Sequence, residues 1–455
     1  MPPTRFADIA WPNARRYWVI NARAPACLLA DASAFAMRDD EDLVRADILI
    51  EDGKFARIEP ASGVRDGFAV DIGGRQLWPT LIDIHTHLDK GHTVERSPNP
   101  DGTFLNARLS TAADRPNWSM PDLRRRMHFG LRCAEAHGVS AIRTHIDTYP
   151  ETIERSWPVV RELTEEWAGR IALQAVSLCP VDLLADDYGD QVARAVAQSQ
   201  GLLGGVTRPA EGDHAATPAN IGEQLDRLFA LAARYDLDVD LHVDETNDPL
   251  AATLPHIAQA ALRHGYKGRV TCGHCCSLAL HSESDVDRTL DLLAEAEIAI
   301  VTLPTVNLYL QDRTSGRTPR WRGVTVVHEM LRRGIRVAAA GDNCRDSFYA
   351  YGDHDVLDTF RQAVRILHLD HPLTVAPSLV GSTPAQMAKL DGHGRLTVGA
   401  TAHFIVFNAR SLNEIVSRHH ADRVVFRHGA QLTAQVPDYD ELLEDDAPAG
   451  TARVA

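Results

Sequence analysis

The stretch Leu81-Ile82-Asp83-Ile84-His85-Thr86-His87-Leu88-Asp89-Lys90 decides between two architectures. It completes the first of eight short apolar runs, at residues 77–85, 141–147, 171–178, 202–207, 237–243, 269–273, 298–303 and 335–340. Between them lie stretches of helical period, among them 121–137, 219–235, 249–264 and 324–333. Gly138, Gly265 and Gly334 follow three of these, where a helix C-terminus favours glycine. Strands alternating with helices make a parallel β/α array, and eight strands close a barrel. An open doubly wound sheet usually places a glycine-rich phosphate turn after its first strand. Here His85-Thr86-His87 stands there instead, so the expected fold is α/β, a (β/α)8 TIM barrel over residues 76–389.

The flanks read differently. Residues 16–75 and 395–435 alternate in short β-like runs, and neither is long enough for its own core. They are expected to join as one small β-sandwich, residues 1–75 together with 390–455. The segment 92–120, rich in Asn, Pro, Asp and Ser, is too long for an ordinary connection and reads as a lid or binding loop. The acidic tail from Glu441 onward is expected to fray.

Composition narrows the partners. The 455 residues carry Lys+Arg 47 against Asp+Glu 62, a net charge of −15, which argues against binding nucleic acid or an anionic membrane. Seven cysteines, an odd number without regular spacing, fit a reducing compartment. No signal-like segment or long apolar run appears, so a cytoplasmic protein is expected. Homo-oligomerisation is left open. The C-x-x-C of Cys272 and Cys275 lacks a second pair or a well-spaced histidine, so these thiols read as small buried side chains rather than zinc ligands.

Four strand ends carry the chemistry. His85 and His87, one residue apart, project to the same side of an extended strand. His242 and Glu245 follow the fifth strand, His274 the sixth, and Asp342-Asn343 the eighth. Barrel enzymes place catalytic groups at that end of their strands. Three histidines and one carboxylate suit a single divalent transition ion, zinc or iron(II), with a position open to water. Glu245 and His274 then serve proton transfer. Most of the 21 histidines need no such role: His145 reads as structural, and His92, His214, His264, His281, His419 and His420 as solvated.

These segments resemble the amidohydrolase superfamily, and more closely its cytosine-deaminase-like branch. The resemblance rests on residues 83–90, on Arg143-Thr144-His145-Ile146-Asp147, and on His242-Val243-Asp244-Glu245. It also rests on Val270-Thr271-Cys272-Gly273-His274, residues 306–313 and Gly341-Asp342-Asn343. It implies His85, His87, His242 and Asp342 as ligands of one metal ion. It further implies Glu245 as the proton shuttle to a ring nitrogen, His274 as the residue orienting the attacking water, and Asp342 as its proton acceptor. Binuclear relatives bridge their ions with a lysine on a middle strand. No lysine occurs between 91 and 266 here, in keeping with one ion.

Departures bear on the substrate. Where cytosine deaminases carry a glutamine after Pro180, this chain has Val181; Asn343 replaces a second aspartate, and Phe348 a tryptophan. A site lacking that ring-edge partner argues against cytosine. Lys90 resembles the lysine of the subgroup acting on triazines and related rings, where it faces an oxygen or anionic ring. The expected activity is hydrolytic deamination, or release of an alkylamine, from a small N-heterocycle of pyrimidine, triazine, purine or pterin type. Lys90, Val181, Asn343 and Phe348 are expected to touch the substrate. Hydrolysis of a cyclic or linear amide is the alternative. A silent scaffold would have lost ligands that are all present.

Overall fold

A computed structural model describes residues 5–62, 65–209, 216–418 and 422–443. His214, His419, His420 and the tail beyond 443 lie outside the described residues. The first four strands are β1 (Arg16–Pro25), β2 (Leu43–Glu51), β3 (Lys54–Pro60) and β4 (Ala69–Asp71), forming a sheet in the order β3-β2-β1-β4. Next come β5 (Leu77–Pro79) and then eight strands with helices between them: β6 (Leu81–Thr86), β7 (Val139–Asp147), β8 (Ala172–Leu178), β9 (Leu203–Val206), β10 (Val239–Val243), β11 (Val270–His274), β12 (Ala299–Thr302) and β13 (Val337–Ala339). The chain closes with β14 (Phe404–Phe407), β15 (Arg423–Arg427) and β16 (Ala430–Gln431). The fold is α/β.

β6-β7-β8 form one parallel sheet and β9 to β13 another. Parallel bridges Val176↔Leu202 and Pro180↔Val206 join β8 to the β9 segment, and Thr86↔Asp342 joins β6 to the residues after β13. The intervening helices are α1 (Phe104–Asp114), α2 (Met120–Ala136), α3 (Ile153–Glu166), α4 (Asp187–Gln198), α5 (Ile221–Tyr235), α6 (Leu254–Arg263), α7 (Glu283–Glu295), α8 (Pro304–Leu310), α9 (Val327–Arg332) and α10 (Val356–Leu367). Residues of these strands are buried on both faces, as parallel sheets covered by helices require. Gly138, just past α2, has φ +87, and a Cβ there would meet Ile405 Cδ1 at 2.6 Å, so only glycine fits this turn.

Two expectations change. The first apolar run is not one strand: β5 pairs with β14, and only β6 joins the parallel set. Pro79 has no N–H to continue a ladder, and the chain switches sheets at Thr80. The 92–120 segment is no bare loop, because α1 starts there, capped by Thr103, whose hydroxyl accepts from Asn106 N. Of the acidic tail only its start is described, and there Glu441 pairs with Arg132 of α2. Strands from both chain ends share one apolar cluster, including Val19, Ile48, Phe404 and Phe426. Trp78 of β5 sets its ring edge against Phe407 and against Phe360 of α10, locking these strands to the helical layer. Among the described residues, no helix is long and apolar enough to cross a membrane.

Candidate metal centre and substrate cavity

Each expected ligand sits at the C-terminal end of a parallel strand, and together they converge. His85 Nε2 lies 3.2 Å from His242 Nε2, which lies 3.3 Å from His87 Nε2. Asp342 Oδ1 is 3.2 Å from His87 Nε2 and 3.6 Å from His85 Nε2. Donors held about 2.05 Å from an ion at tetrahedral angles lie roughly 3.3 Å apart, so this spacing fits a divalent transition ion. Burial pushes all three imidazoles well below their usual pKa, so they are neutral and their lone pairs face one another. Neither oxygen of Asp342 has a hydrogen-bond partner. Buried, unpartnered acceptors aimed at one point are the donor set a cation satisfies.

The backbone is bent to serve this point. Asp342 and His274 both adopt left-handed φ, +65 and +68, costly for residues with a Cβ and typical of functional strand ends. Asp83, buried behind them, accepts from Gly341 N at 3.0 Å and holds the Asp342 turn in place. Gly273 makes room for His85: a Cβ there would lie 2.8 Å from His85 Cε1. Gly273→Ala is therefore expected to cost about 1–3 kcal/mol of stability by overpacking. Metal affinity, read by chelator competition, is expected to drop roughly 10–100-fold as His85 is displaced.

His274 and Glu245 stand beside the cluster. Asn307 Nδ2 lies 3.0 Å from His274 Nδ1 and 3.5 Å from Glu245 Oε1, so the amide donates toward both. Nδ1 of His274 is then an acceptor and its proton sits on Nε2, which is buried without a partner. Burial lowers the His274 pKa to about 3, so it stays a neutral donor. Burial raises Glu245 to about 7, with Arg208 and then Lys90 opposing the rise. His145 is buried against the His85 ring at 3.9 Å between centroids, directly behind the cluster.

A cavity of about 230 Å³ opens next to this centre, lined by Lys90, Arg108, Arg115, Asp147, Arg208 and Phe348 among others. Val206 and Arg208 also line the small cavity beside His242 and Glu245, so the two are neighbours. Lys90 Nζ bonds Asp147 at 2.7 Å and lies 5.3 Å from the Phe348 ring centroid. Residues Leu105, Arg108 and Leu109 of α1 roof the cavity.

Two expected substrate contacts are not brought there. Val181 is buried against Gly205, because Pro180, pairing with Val206, takes the lining position. Asn343 turns away to donate to Asp346 Oδ2 at 2.7 Å. His92 is not solvated but buried, since its loop folds back along residues 344–345. The cysteines 272, 275 and 276 are buried, free thiols, as read. Sequence reasoning missed Arg208, although it closely follows a strand end and the same rule finds it there. It also gave no role to Asp147, the partner of Lys90.

Comparison with known proteins places the chain in a family. A family model described as "Amidohydrolase family" matches residues 180–431. A pterin deaminase of Rhizobium rhizogenes is 47% identical over 434 residues, covering 95% of this chain and 97% of that protein. The N-isopropylammelide isopropyl amidohydrolase of Pseudomonas sp. strain ADP is 24% identical over 350 residues, 75% of this chain and 82% of that one. Among solved structures, 5-methylcytosine deaminase from Klebsiella pneumoniae, liganded with phosphonocytosine, superposes with a TM-score of 0.79 at 26% identity. That match covers 92% of this chain and 98% of the other. With the family model spanning over half its length and a deaminase 47% identical nearly end to end, this chain belongs to the amidohydrolase family, in its cytosine-deaminase-like branch.

Proposed function

We propose that this protein is a metal-dependent hydrolase that removes the exocyclic amine of a pterin-type N-heterocycle as ammonia. The observation that carries it is Glu245. A carboxyl raised by burial to about 7 beside the His/Asp cluster is about half in its acid form at neutral pH and stands where it can donate to a ring nitrogen. Hydrolysis of a plain amide needs no such donor. The pterin ring is favoured over cytosine by the 47% identical relative.

His85, His87, His242 and Asp342 hold one divalent ion, zinc or iron(II). When bound, the ion supplies Lewis acidity that makes water a nucleophile near neutral pH. Asp342 accepts the proton released as water attacks the amine-bearing carbon. Glu245 delivers its proton to the adjacent ring nitrogen, and His274 Nε2–H stabilises the oxygen being added. Collapse breaks the C–N bond: Asp342 returns its proton to the amine, which leaves as ammonia, and the added hydroxyl gives its proton to Glu245, so that a ring carbonyl remains.

Lys90, Arg108, Arg115 and Arg208 against Asp147 make the cavity electropositive, suited to the oxo-bearing edge of an oxidised ring. Hydrogen bonds to charged groups contribute about 1.5–3 kcal/mol, so Lys90→Met is expected to raise KM roughly 10–150-fold. Against its burial, Lys90 and then Arg115, at 3.0 Å, hold the Asp147 carboxyl below its ordinary pKa. We read the eight parallel strands as a closed (β/α)8 barrel, supported by the bridges that link β8 to β9 and β13 to β6. Residues 1–75 and 390–455 form the accessory β-sandwich, with the pairing of β5 to β14 moving its seam to Thr80. Free thiols throughout the described residues favour the cytoplasm. The test is ammonia release from metal-loaded enzyme across pterins, pyrimidines, purines and triazines. Turnover of cytosine matching the best pterin would overturn the substrate reading.

A further inference from the structure

Outside the catalytic cluster, three more ligating side chains converge. His92, Cys344 and His354 each offer a donor atom within 4.8 Å of the others. They are 6%, 4% and 6% exposed. Both ring nitrogens of His92 and Nε2 of His354 lack any hydrogen-bond partner. An unpartnered buried polar group costs about 1–3 kcal/mol, and two imidazoles turned toward one thiol incur that cost together.

The surroundings are shaped for an occupant. Gly130 of α2 lets the His354 ring approach, since a Cβ there would lie 2.9 Å from Nε2. The backbone N–H of His354 is directed at the Cys344 sulfur. A cavity of about 270 Å³, lined by Cys344, Asp353 and His354, gives the cluster an entry path. Asp353 accepts from His137 Nε2 at 2.8 Å and adds negative charge nearby.

We propose that His92, Cys344 and His354 bind a second metal ion, a divalent cation with affinity for sulfur such as zinc. Two imidazoles and one thiolate suit that ion, with the fourth position facing the cavity. On binding, the Cys344 S–H bond is replaced by a sulfur–metal bond and its proton passes to solvent.

The role follows from where the ligands sit. His92 N donates to Cys344 O at 3.1 Å, and Thr93 N and Val94 N to Arg345 O at 2.9 and 3.0 Å. One of these loops follows His87 and the other follows Asp342. An ion bridging them clamps together the two segments that present catalytic ligands, as a structural site rather than a reaction centre.

Cobalt(II) separates this ion from the catalytic one, because the His85–Asp342 cluster contains no sulfur. Chelator-stripped protein reloaded with cobalt is expected to hold two ions per chain and to show near-ultraviolet cobalt–thiolate charge transfer. Cys344→Ser is expected to lose that band and one ion, keeping ligand-field absorption from the other and deaminase turnover within a few-fold. His354→Gln is expected to weaken the second ion at least 10-fold. Wild-type protein holding one cobalt without the thiolate band, or a band persisting in Cys344→Ser, would overturn the proposal. Both wild-type readings stand even if the variants fail to fold, and neither depends on deaminase activity.

Discussion

Glu245→Gln is expected to lower kcat roughly 10²–10⁴-fold while leaving metal content and fold unchanged. Glutamine keeps the shape and the contact with Asn307 but cannot release a proton to a ring nitrogen. The pH dependence carries the sign of the same argument. Burial raises the Glu245 carboxyl to about 7, so the free enzyme holds the acid form below that pH and loses it above. Activity as kcat/KM is therefore expected to fall on the alkaline side with a slope of one proton, centred near the Glu245 value. A profile measured under saturating metal checks this. A Glu245→Gln variant retaining kcat within three-fold would remove Glu245 from the reaction.

The convergence of His85, His87, His242 and Asp342 was legible because one rule places them. His85, His87, His242 and Asp342 all end apolar runs, and chemistry at strand ends survives errors of one or two residues in the boundaries. The substrate wall was less legible. Val181 lies one residue past the residue that lines the cavity, and a sequence cannot say which of two neighbours a tight turn will bury. His92 read as solvated because burial of a loop residue depends on what folds over it, here residues 344 and 345 from the far end of the array. The helix α1 was hidden by its weak patterning, with Leu105 and Leu109 left exposed. The seam at Thr80 was invisible in an apolar run that continues through it, since β5 and β6 differ in partners and not in composition.

Removing the metal is expected to abolish turnover, and adding zinc or iron(II) back to restore it. The reason lies in the bare cluster. Neutral imidazoles with acceptor nitrogens 3.2–3.3 Å apart repel unless a cation or a proton lies between them. Binding an ion to the folded state alone also stabilises it, by about 2.7 kcal/mol at 100 times Kd. The thermal midpoint should accordingly rise with metal concentration. Replacing Asp342 by asparagine tests the centre from its other side. It is expected to weaken the ion and to take turnover close to background even at saturating metal, since an amide cannot accept the proton of the attacking water. Turnover that survives complete chelation, or an Asp342→Asn enzyme within ten-fold of the parent at saturating metal, would place the reaction elsewhere in the cavity.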